Sequence, residues 1–465
     1  MKTTRFLSLS TAAAIGSLVT LAAPRDASAA GYALDVLSGR GTGIAGATSA
    51  MIDDSSSIFY NPAGIAQGKG LDAQIGVSLI APSFQYTDTG GKETTLPFTV
   101  VPPIHAYVSG GLTENLSLGV GLFTPYGLTV KWPDAWAGRH LITESSLATF
   151  YVNPTAALKI GPVRIGAGFQ LVRGTVELKQ DIRFGDQIGN ADLGAAAWGA
   201  GGNVGAQLEA IKQYLSFGVQ YRSAVKLNFD DGKAHFGNVP AGLAGAIHDQ
   251  AVTTSVVLPD QLTMGVATHP VKKLVIDFDA VWIQWSYLRS IDLTFPNDAS
   301  GTLNKSLPKN WHDTVNFHIG AEGELSDHWM LRGGVLFDPS PSQSNTLTPD
   351  IPDSTRVNLA IGGTWKHDSG VHVDVGYQFI ILTGKTSTVA AFPGDYGGFA
   401  QVLAITVGYG TPKAKEASNW VDPAGAGGET PPPPPPPEVP TTTPSQPDAP
   451  PVTTPDPGIA PPPPG

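Results

Sequence analysis

The sequence predicts an all-β fold, a transmembrane β-barrel of about fourteen antiparallel strands. Three observations lead to this fold class: an export signal at the N-terminus, two-residue alternation of apolar side chains through residues 70–410, and the absence of cysteine. An exported chain of 465 residues without disulfides has to be held together by its own core or by a closed hydrogen-bond network.

Residues 1–29 have the layout of a secretory signal peptide. Lys2 and Arg5 precede an uncharged stretch over residues 6–23, and the sequence Ala-Ser-Ala at 27–29 provides a small-x-small cleavage site. The stretch approaches the length of a membrane-spanning helix, but its Ala, Ser and Thr content and the cleavage site favour a signal over an anchor. The mature chain is therefore expected in the periplasm, outside the cell, or in an outer membrane as a β-barrel.

Residues 70–410 carry the main fold signal. In "LDAQIGVSL", which begins at Leu71, apolar residues alternate with polar or small ones, and "NLSLGVGLF" and "FAQVLAITVGY" repeat the pattern. Such alternation predicts strands with one apolar face. About fourteen such segments fit an outer-membrane barrel with short turns at one end and longer loops at the other. A soluble β-sandwich is the alternative, but it would need bulk on the second face, where this chain has small and polar residues.

The region before the strands, residues 30–69, is rich in Gly, Ala, Ser and Asp. Its string "GTGIAG" fits the dinucleotide fingerprint G-x-G-x-x-G, yet it does not follow a buried strand within a βαβ unit. No acidic residue lies between Asp54 and Asp72, where a ribose partner would be expected. The string therefore does not predict a nucleotide cofactor.

Other chemistry finds little support in the chain. The net charge of −11 offers no electrostatic basis for nucleic-acid binding. His367 and His372 stand five residues apart beside a predicted turn, without the spacing of metal ligands. Asp53 and Asp54 are adjacent carboxylates followed by a serine run, a pattern typical of local turn hydrogen bonds. The sequence predicts no catalytic residue, no metal site and no cofactor.

Two further features concern the ends of strands and the end of the chain. Aromatic residues near many predicted strand ends, among them Trp132, Trp136, Trp285, Trp329 and Trp365, suit the interfacial girdles of a barrel.

Residues 411–465 include seven consecutive prolines and cannot bury a core, which predicts a disordered, extended tail.

Several phrases in the chain together resemble one family. The stretch "GTGIAGATSAMIDDSSSIFYNPAG" is similar to the N-terminal region of the FadL-like outer-membrane transporters, the uptake channels for long-chain fatty acids and aromatic hydrocarbons. "GLFTPYGLTVKWPDAWAGRHLITESSLATFYVNPTAALKI", "SFGVQYRSAVKLNF" and "LPDQLTMGVATHPVKKLVIDFDAVWIQWS" resemble later parts of the family, and "SPSQSNTLTPDIPDSTRVNLAIGGTW" continues the match. The resemblance covers about residues 30–410, in order.

The resemblance implies a fourteen-stranded barrel, residues 70–410, plugged from inside by an N-terminal hatch, residues 30–69. In the family's usual model a hydrophobic ligand lands in an apolar groove among the extracellular loops and moves to a pocket in the barrel. Hatch movement follows, and the ligand leaves sideways at an inward kink of the third strand. The resemblance assigns the hatch gate to Asp53, Asp54, Asn61, Pro62 and Ala63, and the lateral opening to Gly119, Gly121 and Pro125.

The resemblance also implies ligand-binding residues, although the match at these positions is not strict. Family members use a basic residue on the fifth strand and another on the tenth, and the matching places here are Arg173 and His312. Histidine in place of lysine weakens the case for an anionic ligand and favours a neutral hydrocarbon. The alternative is that both residues are ordinary polar residues lining the lumen.

The resemblance predicts passive uptake of hydrophobic molecules, with long-chain fatty acids first and aromatic hydrocarbons second, by a barrel that is surrounded by outer-membrane lipid. A non-transporting structural or adhesive surface barrel and a general porin for hydrophilic solutes are the alternatives. The proline-rich tail departs from the family pattern. Since barrel termini in this family lie in the periplasm, the tail is expected there, either as a spacer toward peptidoglycan or a periplasmic partner, or as a dispensable extension.

Overall fold

The computed structural model describes residues 31–411. The predicted signal peptide, residues 1–29, and the tail beyond residue 411 lie outside the described residues. Within residues 31–411 no helix has the length and apolar content needed to cross a membrane.

Residues 31–411 contain twenty strands, two short α-helices and two 3₁₀ helices. The α-helices are α1 (Gly39–Gly43) and α2 (Ser57–Tyr60), and the 3₁₀ helices span Pro62–Ile65 and Trp285–Tyr287. The strands of the first half are β1 (Gly70–Asp88), β2 (Glu93–Thr95), β3 (Ile104–Gly111), β4 (Leu116–Phe123), β5 (Gly127–Lys131), β6 (Glu144–Ile160), β7 (Val163–Phe184), β8 (Gln187–Ile211), β9 (Leu215–Arg222) and β10 (Val225–Gly237). Those of the second half are β11 (Gln250–Leu258), β12 (Gln261–Val271), β13 (Leu274–Ile283), β14 (Ser290–Leu293), β15 (Lys305–Pro308), β16 (Thr314–Glu324), β17 (Trp329–Asp338), β18 (Arg356–Lys366), β19 (Val371–Ser387) and β20 (Gly394–Gly410).

The strands of the described chain close into a fourteen-stranded antiparallel barrel, as the sequence predicts. Three barrel strands are interrupted. Each of these consists of two shorter strands, namely β4 with β5, β9 with β10, and β11 with β12. The last strand, β20, returns to pair with β1 from Asp72↔Gly410 to Asp88↔Gly394. β14 and β15 form a separate hairpin, and β2 is a short strand in the first long loop. Closure pairs the two edge strands with each other, which removes the edge of an open sheet.

The alternating pattern sorts side chains between the two faces of the wall. On β1, Leu71 and Ile75 are 47% and 58% exposed, whereas Gln74 and Ser78 are buried. Successive side chains of a strand point to opposite faces, so an apolar belt surrounds the barrel and small or polar groups face the lumen. This arrangement confirms the period-2 interpretation of residues 70–410.

The connections divide the barrel into a short-turn end and a long-loop end. Turns such as residues 161–162 and 272–273 lie at the first end, while residues 132–143, 284–313 and 339–355 form long loops at the other. In a barrel of this kind the short turns face the periplasm and the longer loops face outward.

The expected aromatic girdle is wrong for three tryptophans. Trp132 and Trp136 stack at 4.3 Å and are 1% and 5% exposed, and Trp285 is 2% exposed. All three belong to the long-loop end, where they pack under the loops instead of meeting the membrane interface. Trp329 and Trp365, at the short-turn end, do face outward with 52% and 38% exposure.

The N-terminal segment, residues 31–69, lies inside the barrel and is mostly buried. Its helices are short because Gly, Ser and Ala dominate it and turns interrupt it. The Ser38 side chain caps α1 by accepting the N–H of Gly41, and the Asn61 side chain caps the Pro62–Ile65 helix by accepting the N–H of Ala63. This compact chain presents main-chain groups to the wall on nearly every side.

Candidate functional site

Inward-facing glycines of the wall let the N-terminal segment approach closely. A Cβ atom on Gly218 would lie 2.2 Å from the Ser49 carbonyl oxygen, and one on Gly376 would lie 2.4 Å from that of Gly39. A Cβ on Gly205 would lie 2.1 Å from the Asn61 side-chain oxygen. Real Cβ atoms do not reach such distances, so any larger residue at these places would push the segment away from the wall.

Asn61 joins two parts of the N-terminal segment to the wall. Its side-chain N–H groups lie 2.8 Å from the Ser49 carbonyl oxygen, 3.2 Å from that of Ala206 and 3.4 Å from that of Val219. Asn61 is fully buried, so its amide group depends on these protein acceptors for its hydrogen bonds. Pro62 follows directly, and its carbonyl group packs on Gly166, where a Cβ would lie only 2.3 Å away.

An ion network holds the short-turn end of the segment. Arg40 donates to Asp53 at 2.7 Å and to Asp54 at 2.8 Å, and its other nitrogens reach Glu322 on the wall at 2.9–3.0 Å. Glu322 also pairs with Arg332 at 2.5 Å. The adjacent carboxylates of the sequence thus act as ligands of a segment arginine that is tied to the wall.

Two buried carboxylates of β13 bind main-chain N–H groups of the segment. Asp279 accepts from Thr48 at 2.8 Å and from Ser49 at 3.0 Å, and Asp277 accepts from Ala50 at 3.3 Å. Neither Asp is more than 1% exposed. Three consecutive main-chain N–H groups of the segment are thus bound to one wall strand, which makes this stretch an anchor of the segment.

The third barrel strand is interrupted where the sequence places Pro125. β4 ends at Phe123 and β5 starts at Gly127, and proline has no N–H to offer the ladder. β3 pairs with β4 only as far as Ala106↔Leu122. Beyond that point the chain before β3 runs along β1, with a bridge between Ile80 and Val101. Among the described strands, β5 is paired with β6 alone.

The N-terminal segment occupies the open edge at this break. Ala33 forms an antiparallel bridge with Tyr126. The Leu34 N–H donates to the Pro125 carbonyl at 2.8 Å, and the Gly127 N–H donates to the Tyr32 carbonyl at 2.8 Å. Three residues of the segment therefore act as a short additional strand in the wall.

Gly119 and Gly121 face the same segment from β4. A Cβ on either would lie 2.9 Å from the Ile58 side chain of α2. These two glycines make room for α2 next to the break, while Pro125 makes the break itself.

The long-loop end is closed by loops that are pinned together. Lys309 donates to Asp350 at 2.7–2.8 Å and to Thr348 at 2.6 Å, and both charged residues are buried. Burial by itself raises the pKa of Asp350. The Lys309 ammonium lowers this pKa by more than burial raises it, so the pKa of Asp350 lies below its usual range. The Trp132 indole N–H donates to the Pro349 carbonyl at 3.0 Å.

Cavities lie at several levels of the described barrel, and four of them bear on the site. The loop cavity, about 170 Å³, is mostly apolar and lies under the long loops near Phe295 and Lys305. The connecting cavity, about 50 Å³, lies between Tyr32 and Leu128 and shares Leu178 with the loop cavity. The central cavity, about 70 Å³, and the periplasmic recess, about 310 Å³, lie on either side of the N-terminal segment. Residues of the segment line three of the four, the loop cavity being the exception.

A family model described as outer membrane protein transport protein (OMPP1/FadL/TodX) matches residues 20–410 of the chain. The chain belongs to this family. Membership in the FadL/TodX family makes it an outer-membrane transport protein for hydrophobic molecules and not an enzyme, as the sequence predicts.

Relatives of known name agree with this assignment. The long-chain fatty acid transport proteins of Salmonella typhi and Escherichia coli are each 23% identical to this chain, covering 76% of it and 87% of their own length. A 47 kDa outer membrane protein of Pasteurella multocida is 24% identical, covering 78% of this chain and 89% of its own.

Solved FadL/TodX structures share the fold. A Pseudomonas aeruginosa FadL homologue has a TM-score of 0.74 at 17% identity, covering 82% of this chain and 99% of that one. The P. putida toluene transporter TodX has a TM-score of 0.67 at 15% identity, covering 83% and 100%.

The two basic residues that the family resemblance suggested are not brought together. Arg173 points outward from β7, in the same orientation as the exposed Leu171 and Phe169, and lies 5.1 Å over the exposed Trp198 ring. His312 is exposed in the loop before β16. Neither lines any of the four cavities described above.

A basic residue that the sequence analysis did not select does face the lumen. Arg222, at the end of β9, is 1% exposed and lines the central cavity. The two-residue alternation predicts this orientation. Phe217, Val219 and Tyr221 point outward, so the next residue, Arg222, points into the lumen.

Proposed function

We propose that this FadL/TodX-family protein carries long-chain fatty acids passively across the outer membrane. The observation that carries the proposal is a break in the wall that is filled by Tyr32–Leu34 of the N-terminal segment, the same residues that line the connecting and central cavities. A porin for hydrophilic solutes would need an open lumen, whereas the segment here is bonded to the wall at Asn61, at Arg40 and at the Asp277–Asp279 pair.

Entry fits the loop cavity. Its lining includes Ile142, Leu193, Phe236 and Phe295, and Lys305 stands at the same surface. An apolar chain gains roughly 0.8 kcal/mol for each CH₂ group removed from water. A basic group beside an apolar surface matches a molecule with a long alkyl chain and one carboxylate.

Release fits the break in the third strand. The segment residues Tyr32–Leu34 take the place of a neighbouring strand there, using three residues where a full strand would use about ten. In this proposal the N-terminal segment is the hatch, and withdrawal of its first residues opens a gap between β5 and the chain before β3. An apolar ligand then enters the membrane sideways without crossing the polar lumen.

Aromatic hydrocarbons are the second candidate, and the aromatic rings packed behind Tyr32, which lines the connecting cavity, favour them. Tyr32 packs against Trp285 with ring centroids at 4.8 Å, and Trp285 packs against Trp311 at 5.2 Å. Edge-to-face rings of this kind accept another ring readily.

Replacing Asn61 with alanine should lower uptake several-fold while the barrel stays folded. The change removes every hydrogen bond of one buried amide, at a cost of about 1–3 kcal/mol in the seating of the hatch. Uptake of labelled oleate measures the effect, and heat-modifiable migration on a gel reports the barrel. Asn153→Ala is the matched control, since the Asn153 side chain is buried but bonds only to wall groups. Normal uptake by Asn61→Ala would mean that Asn-Pro-Ala is only a turn.

The substrate is tested by uptake of labelled oleate and of toluene in cells with and without the gene. Faster oleate uptake with the gene supports the proposal, and faster toluene uptake alone supports the second candidate. No difference for either compound would leave a structural or adhesive surface barrel as the remaining interpretation.

A further inference from the structure

Arg222 sits in an aromatic environment inside the barrel. Its guanidinium lies 4.3 Å over the Phe59 ring of the hatch and 5.8 Å from the ring of Phe123, the last residue before the break in the third strand. One nitrogen, Nη2, donates to the Phe59 carbonyl at 2.6 Å. Arg222 therefore touches both the hatch and the site of proposed release.

Two other nitrogens of this arginine have no hydrogen-bond partner in the described protein. Nε and Nη1 are both buried and unbonded. A buried charge without a hydrogen-bonded counter-ion is costly, and native proteins pair such groups as a rule. The guanidinium presents five N–H donors in a fork that matches the two oxygens of a carboxylate.

The other charged groups at the central cavity are differently placed. Arg356 is paired with Asp338 at 2.5 Å, and Asp279 is occupied by hatch N–H groups. Asp35 also lines the cavity, and its Oδ2 is buried without a hydrogen-bond partner, but among the described residues its carboxylate forms no salt bridge with Arg222. Of the two arginines lining this cavity, Arg222 is thus the one that lacks an acidic partner within the described chain.

We infer that Arg222 is the binding residue for the carboxylate of the transported molecule, and that it makes the channel selective for acids over neutral compounds of equal length. The inference rests on the proposed function and narrows its substrate class to long-chain carboxylic acids. The central cavity of about 70 Å³ has room for a carboxylate group, since roughly 10–15 Å³ holds one water. The alkyl chain requires the neighbouring hatch residues to move.

This geometry couples binding to the hatch. The Phe59 carbonyl accepts from Arg222 and, at 3.2 Å, from the Gln220 side chain. A carboxylate is a stronger acceptor than a carbonyl group and competes for the same guanidinium. Binding of the carboxylate therefore weakens the hydrogen bond from Arg222 to Phe59, which lies two positions before Asn61.

The test compares oleate with oleyl alcohol, which share a chain length and differ in charge. Equilibrium binding to the purified full-length protein should favour oleate, and Arg222→Met should weaken oleate binding roughly 10- to 100-fold. Binding of oleyl alcohol should change little, and Arg222→Lys should restore part of the preference. Arg173→Met is the matched control, because that arginine also lies over an aromatic ring but on the outer face.

The outcomes separate this inference from the proposed function. Wild-type protein that binds neither lipid would contradict the proposed function itself. Equal binding of the two lipids by wild-type protein, which needs no variant to fold, would overturn only the inference. A preference for oleate that survives in Arg222→Met would overturn it as well, and so would an equal loss of both lipids, which indicates a structural role.

Discussion

Replacing Gly205 with valine is expected to turn the plugged barrel into a leaky pore. Even the Cβ atom of the new residue would lie 2.1 Å from the Asn61 side-chain oxygen and 2.9 Å from the Pro62 ring. Overpacking of this kind costs about 1–3 kcal/mol, which raises the fraction of molecules with a displaced N-terminal segment about 5- to 150-fold. Steady ion conductance in planar bilayers measures the displaced fraction.

Gly194→Val provides the control on the same strand. Both glycines belong to β8, but a Cβ on Gly194 meets no atom within 4 Å. This variant should fold and stay closed, because valine suits a strand and displaces nothing. Equal conductance from both variants would show that a change in β8 itself, and not contact with the hatch, opens the barrel.

Joining Ala33 to Tyr126 by a disulfide should abolish uptake. The two residues face each other in the short bridge between the N-terminal segment and the third strand. The hydrogen bonds on either side of them define a pair whose Cα atoms are close, about 4.5 Å in antiparallel strands, which suits a disulfide. If the gap opens by withdrawal of Tyr32–Leu34, the oxidised double variant Ala33→Cys/Tyr126→Cys should transport no more than cells lacking the protein.

The same molecule serves as its own control. Because the natural chain has no cysteine, the two introduced thiols have no other thiol in the protein to pair with. Adding a reductant should restore uptake, which separates the effect of the cross-link from the effect of losing the Tyr126 side chain. Undiminished uptake in the oxidised state would show that the ligand leaves by another route.

The fold is predictable from the sequence because its signal is repeated. Each strand of the barrel buries one face and exposes the other to lipid, so the period-2 pattern recurs in residues as far apart as Leu71 and Val407. The break in the third strand is also visible, since Pro125 cannot donate to a ladder. These features depend on local chemistry alone.

The ligand-facing residues are harder to predict because a shift of one residue reverses the face. Arg173 occupies an outward position of β7, beside inward Val172, so a match displaced by a single residue assigns the wrong face. His312 falls in a loop, where no periodicity applies. The inward direction of Arg222 can be predicted from its place in the alternation. Its lack of an acidic partner cannot, because that depends on which residues of the N-terminal segment pack against it.

The contacts of the N-terminal segment also constrain the order in which the protein folds. The Gly31 N–H donates to Asp353 and the Gly39 N–H donates to Thr406, partners that are 322 and 367 positions further along the chain. Such distant contacts cost conformational entropy before they contribute anything. The N-terminal segment, although it is synthesised before the strands, therefore reaches its final position only after β20 has joined the wall, and the newly made barrel passes through a stage in which its lumen does not yet hold this segment.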